Sequence, residues 1–212
     1  MAPSPRQASP ELQQVMDECR EKINKTLEKM LTKGDWAEAP LWDAMRYGVL
    51  NGGKRLRPFL VMQGAKIFGV DEYRARRVGV AVELLHSYSL IHDDLPAMDD
   101  ADTRRGKPSV HKEYDEATAI LAGDALLTLA FEVLATPETH EEPRVRIELV
   151  SELAGAAGGT AMVGGHILDL LGEQDACDYG TIRRSQRPNT AKMFAFSCAV
   201  GAIPCTTNHA TR

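Results

Sequence analysis

The chain has 212 residues, a length typical of one domain, and 43% of them are hydrophobic, which is enough for a buried core. Its net charge of −5 excludes a general attraction to nucleic acid, so its basic residues matter only where they cluster. The four cysteines form no CxxC pair and lack metal-ligand spacing, which favours reduced thiols in a cytoplasmic protein. We find no signal-peptide pattern and no run of about 18 apolar residues, so we expect no membrane span.

Apolar residues recur at helical spacing through most of the chain. Residues 1–10 are rich in proline and serine and are predicted to be a disordered tail, followed by a single domain over residues 11–212. Periodicity and capping residues predict helices over residues 11–31, 40–50, 57–68, 72–95, 112–135, 143–158, 160–171 and 179–202. A polar loop is expected over residues 96–108. Because alternating strand patterns are nearly absent, the predicted fold is all-α.

The densest charges lie at the end of the fourth predicted helix and in the loop after it. Five aspartates precede Arg104 and Arg105 there: Asp93, Asp94, Asp99, Asp100 and Asp102. Hard cations such as Mg²⁺ take oxygen ligands and share them with substrate phosphates, and adjacent arginines suit the same phosphates. Pro96 interrupts the helix and can bring Asp99 back beside Asp93. The stretch predicts a Mg²⁺–diphosphate site, with a solvated acidic helix end as the alternative; it does not match an EF-hand.

A second charged group, Gly52-Gly-Lys-Arg-Leu-Arg-Pro58, places three cations at a helix start, where backbone N–H groups also favour an anion. The segment nearly matches a P-loop, but Arg55 stands where that motif needs Ser or Thr. His86 precedes Asp93 by two helical turns on the same face and can donate to a phosphate. Further along, His166, Asp169 and the basic residues 183–192 can close over a phosphate or form a solvated helix face.

Together these residues resemble the trans-isoprenyl diphosphate synthases, most closely the bacterial farnesyl diphosphate synthases. GGKRLRP, DDLPAMD, RRG and ILAGDALLTLAFE occur in the family's order between residues 41 and 201. The resemblance implies an isoprenoid-synthase-type helical bundle around a central cavity. It also implies head-to-tail condensation of isopentenyl diphosphate with dimethylallyl or geranyl diphosphate, dependent on Mg²⁺ or alternatively Mn²⁺. A cytoplasmic homodimer is expected, in which residues 120–133 are either an interface element or plain core packing.

The resemblance also implies roles for individual residues. Asp93 and Asp99 are expected to bind Mg²⁺ with Asp94 in support, while Arg104 holds the allylic diphosphate. The residues implied to hold isopentenyl diphosphate are Lys54, Arg57, His86 and Arg105. Asp169 is expected near the metal. Product length is assigned to the aromatic floor formed by Tyr88 beside Ser89 and to the inserted Pro96-Ala97 pair, which favour farnesyl over geranylgeranyl diphosphate.

Three departures from the family pattern leave alternatives open. His166 stands where the family has Gln, and Asn189 stands where it has a diphosphate-binding Lys that Lys192 can replace from the same helix face. The family's second aspartate-rich motif lies well beyond residue 201, so we expect the N-terminal two-thirds of the family domain, from a truncated enzyme or a short relative. The alternatives are a geranylgeranyl diphosphate synthase, a non-catalytic relative that tunes a partner synthase, or a terpene cyclase. The GGKRLRP segment argues against a cyclase, because a cyclase has no second diphosphate for this segment to hold.

Overall fold

The computed structural model describes residues 8–32, 37–174 and 192–203, with the side chains of residues 169–174 and 192 outside that description. Within these residues the chain forms nine α-helices, one short hairpin and a 3₁₀ turn (Val200–Ala202). The helices are α1 (Pro10–Met30), α2 (Ala39–Leu50), α3 (Leu56–Ile67), α4 (Glu72–Asp93), α5 (Val110–Glu113), α6 (Glu116–Ala135), α7 (Pro143–Ala157), α8 (Met162–Gln174) and α9 (Lys192–Ala199). The predicted all-α class is confirmed.

Side-chain caps explain where several helices begin. The Asp71 carboxylate accepts hydrogen bonds from the N–H groups of Tyr73 and Arg74 at the start of α4. Asp115 accepts in the same way from Thr118 and starts α6, so the predicted helix over residues 112–135 is corrected to two helices. The prediction over residues 160–171 corresponds to α8. Of the prediction over residues 179–202, only α9 and the 3₁₀ turn lie within the described residues.

Helix α4 is the centre of the bundle. It packs most extensively against α6 and α3, and it also contacts α1 and α2. Its buried positions lie around most of its circumference and run without a break from Val78 to Leu85, where Glu83 is the one charged residue. A helix that is apolar on all sides is expected to be buried in a core. The acidic C-terminal end of α4 is therefore held by packing along the whole helix.

Helix α6 is the described helix to weigh against the expectation that no segment spans a membrane. Among the described residues, this is the one helix long and apolar enough to cross a bilayer by length and composition alone. Asp124 and Glu132 interrupt it, so it contains no unbroken run of about 18 apolar residues. One side packs on α4, α2 and α7 through residues such as Leu126, whereas Ile120 and Leu121 remain exposed. That packing is typical of a core helix in a bundle.

A small hairpin replaces part of the loop predicted over residues 96–108. Strand β1 (Thr103–Arg104) pairs antiparallel with β2 (Lys107–Pro108), and Arg104 lies opposite Lys107. The two turn residues, Arg105 and Gly106, both have positive φ angles, of 56° and 80°. Such two-residue turns match the twist of a hairpin and favour Gly. The hairpin therefore fixes the directions of Arg104 and Arg105 relative to the helices.

Candidate active site

The acidic corner forms where α4 ends. The Asp99 N–H donates a 2.9 Å hydrogen bond to the Asp93 carbonyl, and the Ala101 N–H donates to the Asp94 carbonyl at 3.2 Å. The chain therefore turns back on itself after Pro96 instead of continuing the helix, as the sequence predicted. This turn brings the Asp99 residue beside Asp93, although the two are six positions apart.

The Asp93 carboxylate has an environment that favours a bound cation. Burial raises the pKa of Asp93, and the charges of Asp99 and Asp94 raise it further, against the opposing charges of His166 and Arg104. The imidazole Nδ1 of His166, on α8, lies 3.4 Å from Asp93 Oδ1. The sequence singled out His166 as a departure from the family and as one of a group that can close over a phosphate, and the structure places it against the acidic corner.

The donor set suits a metal that is shared with a substrate. Among the described residues, no group of three His, Cys, Asp or Glu side chains is arranged to hold a metal ion by itself. Mg²⁺ is usually bound by one or two carboxylates together with phosphate oxygens. The carboxylates of Asp93 and Asp99 are therefore the residues here that could hold Mg²⁺ together with phosphate oxygens.

Asp94 and Arg104 form a paired unit next to this corner. Arg104 Nε donates to Asp94 Oδ2 at 2.7 Å, and Arg104 Nη2 donates to Oδ1 at 2.6 Å. Asp94 is only 2% exposed, while a third of the Arg104 side chain reaches solvent. The hydrogen bond to Asp94 raises the pKa of Arg104. Asp94 therefore fixes the direction of Arg104. Its predicted supporting role at the metal stays a prediction.

The glycine-rich loop after α2 lies directly under Arg105. Gly52 and Gly53 have φ angles of 88° and 116°, conformations that glycine adopts at little cost. Arg105 Nη1 donates to the Gly52 carbonyl at 2.5 Å, and a Cβ at Gly53 would lie 2.8 Å from the Arg105 guanidinium. Glycine is therefore required for Arg105 to cross the loop. The crossing brings Lys54 and Arg105 to one cleft.

Arg57 and His86 form the inner part of this basic region. Arg57 Nη1 lies 3.3 Å from His86 Nε2, and since a guanidinium only donates, Nε2 must accept and the proton must sit on Nδ1. Burial lowers the pKa of His86 to about 3, aided by the charges of Arg57, Arg105, Arg55 and Arg104. His86 is therefore neutral near pH 7 and keeps one N–H for a ligand.

Arg57 is also held from α9, because its guanidinium stacks over the Phe194 ring at 4.7 Å. Its Nε is buried and has no hydrogen-bond partner within the part of the chain that the structure describes. An unsatisfied buried donor is costly unless a ligand or water supplies an acceptor. An anion at this position would satisfy it.

The sequence interpretation missed the buried anchor of the same loop. Arg55 Nη1 donates to Glu83 Oε1 at 2.6 Å, and both side chains are almost fully buried. Arg55 also donates to Asn24 on α1 and to the Val49 carbonyl on α2. The available signal was Glu83 itself, a lone carboxylate within an apolar run, one turn before His86 on α4.

Tyr88 lies on α4 between the acidic corner and α6. Its ring meets the His92 ring edge-to-face with centroids 4.8 Å apart. Burial raises the pKa of Tyr88, and so do the charges of Asp124 and Asp93, which places the phenol near both carboxylates. Ser89 is buried and its hydroxyl donates to the His86 carbonyl. Both candidate chain-length residues thus lie on α4 shortly before the aspartate motif.

The remaining candidate residues fall outside what the structure describes. Asn189 lies outside the described residues. The side chains of Asp169 in α8 and Lys192 at the start of α9 also lie outside the description. Their predicted roles stay predictions.

Comparison with known proteins identifies the family of this chain. The profile of the Polyprenyl synthetase family matches residues 38–212. The chain belongs to the polyprenyl synthetase family. It is 43% identical over 191 residues to the farnesyl diphosphate synthase of Escherichia coli K12, covering 90% of this chain and 64% of that protein. A structure titled FPP/GFPP synthase from Zymomonas mobilis superposes with a TM-score of 0.90 at 44% identity, covering 94% of this chain and 72% of the other.

A plant relative shares a shorter segment. The chain is 50% identical over 133 residues to geranylgeranyl pyrophosphate synthase 9 of Arabidopsis thaliana, covering 62% of this chain and 37% of that protein. This polyprenyl synthetase chain therefore spans less than two thirds of the length of both curated relatives. The predicted membership of the family is confirmed.

Proposed function

We propose that this chain carries the site of a Mg²⁺-dependent prenyltransferase that condenses isopentenyl diphosphate with dimethylallyl or geranyl diphosphate, giving farnesyl diphosphate and pyrophosphate. One observation carries the proposal: two separate cationic groups lie beside one acidic corner. Arg104 adjoins the corner through Asp94, whereas Arg57 contacts the neutral His86, and Lys54 and Arg105 line one cleft. A reaction between two diphosphates needs two such groups, while hydrolysis or cyclisation of one diphosphate needs a single group.

The reaction begins at the acidic corner. The allylic C–O bond breaks, its electron pair leaves with pyrophosphate, and an allylic cation remains. Arg104, held rigidly by Asp94, stabilises the charge that develops on the leaving oxygen. Mg²⁺ held by Asp93 and Asp99, or Mn²⁺ in its place, would supply further positive charge to that leaving group.

The second step joins the two substrates. Lys54, Arg57 and Arg105 hold the isopentenyl diphosphate, and His86 donates its Nδ1–H to it. The isopentenyl double bond attacks the allylic carbon, a C–C bond forms, and one proton is then lost to restore a double bond.

Product length is the finer part of the proposal. Tyr88 and Ser89 lie on α4 before Asp93, where an aromatic ring is a floor that stops the chain at fifteen carbons. The names of the bacterial relatives support a farnesyl product. The plant relatives support a second candidate, a geranylgeranyl product. We further propose a cytoplasmic homodimer that binds no nucleic acid and has no membrane span.

The test is to incubate the purified full chain with isopentenyl and geranyl diphosphates, with Mg²⁺ or with EDTA, and to identify the products. The expected result is a fifteen-carbon diphosphate that forms only with Mg²⁺. A twenty-carbon product would support the second candidate. A cyclic product formed without isopentenyl diphosphate, or Mg²⁺-dependent diphosphate binding without turnover, would contradict the proposal.

Two variants make the test specific to the acidic corner. Asp93→Asn is expected to abolish Mg²⁺-dependent turnover. Asp100→Asn removes the same charge from an exposed neighbour, and Asn tolerates its left-handed φ of 45°. The control is expected to remain active. Equal losses in both variants would mean that Asp93 has no special role.

A further inference from the structure

An open cleft of about 680 Å³ lies outside the inner diphosphate residues. Four of its lining residues are cations, and no carboxylate appears among the described residues that line it: Arg20, Asn51, Gly52, Gly53, Lys54, Arg105 and Lys107. A concave surface of one charge sign raises the local concentration of oppositely charged ligands and speeds their arrival. The cleft therefore favours an anion over a neutral or cationic ligand.

Two of these cations, Lys54 and Arg105, belong to the proposed isopentenyl diphosphate site. The other two, Arg20 and Lys107, come from different elements and have no assigned role. Lys107 lies on β2, directly after the Arg105-Gly106 turn, and is exposed. Arg20 lies on α1 and pairs with Asp17 at 2.9 Å, with both side chains about two-fifths exposed. An exposed pair of this kind is weak, so Arg20 can change partners.

The floor of the cleft consists of backbone that is crossed by the Arg105 side chain. Gly52 and Gly53 have no side chains, and Arg105 is fixed across them by its bond to the Gly52 carbonyl. A diphosphate that contacts Lys107 or Arg20 is therefore in the same cleft as this backbone, Arg105 and Lys54.

We propose that Arg20 and Lys107 form an outer rim that captures the diphosphate of isopentenyl diphosphate and delivers it to Lys54 and Arg105. The inference rests on the proposed function and adds two specificity-determining residues to it. Both rim side chains are long and reach solvent, so they act on capture and affinity. They do not act on bond breaking, because that step occurs at the acidic corner.

The rim is tested with Arg20→Ala, Lys107→Ala and the double variant in the full chain. Calorimetry measures binding of isopentenyl diphosphate without an allylic partner, and kinetics measure KM and kcat where turnover is present. Lys66→Ala is the matched control, since Lys66 is exposed at the other end of α3. Each rim variant is expected to weaken binding about three- to tenfold at low salt, the size of one charge contact in water. The effect is expected to shrink in 0.5 M salt, where the screening length is about 4 Å.

The outcomes separate the rim from the proposed function. A wild-type chain that binds isopentenyl diphosphate but forms no product would contradict the proposed function. The binding data would still test whether Arg20 and Lys107 capture the diphosphate. Rim variants that bind as tightly as Lys66→Ala would overturn the inference. So would a loss confined to kcat or to the KM of the allylic substrate, or a wild-type chain without measurable binding.

Discussion

Glu83→Gln tests the claim that one buried ion pair holds the glycine-rich loop against the central helix. The Arg55 and Glu83 side chains are 1% and 3% exposed, and their charged atoms lie 2.6 Å apart. The substitution keeps the shape of Glu83 but leaves the Arg55 charge buried with only neutral partners, Asn24 and the Val49 carbonyl. Water cannot reach this charge to compensate, so the loss is expected to be large.

Removing one partner of a buried ion pair typically costs about 3–5 kcal/mol. In a domain of this size that loss corresponds to a fall in Tm of about 6–20 °C. The assay is urea unfolding followed by circular dichroism, with Glu141→Gln as the control. Glu141 pairs with Arg74 at a similar distance, 2.9 Å, but is 77% exposed, and its substitution is expected to leave the midpoint unchanged. A loss below about 1 kcal/mol for Glu83→Gln, the size of a surface pair, would refute the reasoning.

Three further predictions concern other buried groups. Gly123→Ala places a Cβ in steric conflict with His92 Nε2, whose ring is held by the Ile120 carbonyl, and is expected to destabilise the fold by about 1–3 kcal/mol in urea unfolding. His86→Gln is expected to flatten the pH dependence of stability. Wild type should lose about 1.4 kcal/mol between pH 7.5 and 5.5, because His86 gains a proton only when unfolded. Burial raises the pKa of the Cys19 thiol to about 11, so peptide mapping after alkylation at pH 8 should find it about a hundredfold less reactive than an ordinary thiol.

Controls and contrary outcomes are available for each of these. Gly155→Ala, in a helix with open space around the new methyl, is expected to stabilise by about 0.5–1 kcal/mol; a similar loss at both glycines would contradict the His92 contact. An unchanged pH slope in His86→Gln would mean that this imidazole is not held neutral. Exposed Cys198 is the internal reference, and equal alkylation of Cys19 would contradict its burial.

The sequence predicted those features that depend on neighbouring residues. Helix starts at Asp71 and the break after Asp93 follow from capping and proline chemistry, and both are confirmed. The Asp115 cap and the Arg105-Gly106 turn use the same local rules, but a short polar segment gives too weak a periodic signal to separate α5 from α6 or to reveal two-residue strands. Both were therefore predicted incorrectly.

Contacts between distant residues were the harder part of the site. Motif order indicated which residues belong to one site but not which of their atoms are in contact. The approach of His166 to Asp93 depends on the angle between α8 and α4, which are far apart in sequence. Such angles are set by packing of complete side chains, which periodicity does not specify. The Asp94–Arg104 pair joins residues ten positions apart and depends on the hairpin that turns Arg104 back toward the end of α4. The metal role predicted for Asp94 stays a prediction, and the structure adds that both of its oxygens accept from Arg104.

The hairpin turn decides how the two cationic groups are divided, and this leads to a last prediction. Arg104 binds Asp94 and Arg105 binds the Gly52 carbonyl, so consecutive residues serve opposite sides of the site. Gly106, at φ 80°, allows this geometry, and Ala there is expected to cost about 1–2 kcal/mol and to raise the KM of both substrates. Gly159→Ala also adds a methyl to open space, but without a positive φ, and should leave both KM values unchanged. If the two variants behave alike, the turn does not position the arginines, and their directions must be set by Asp94 and the glycine-rich loop alone.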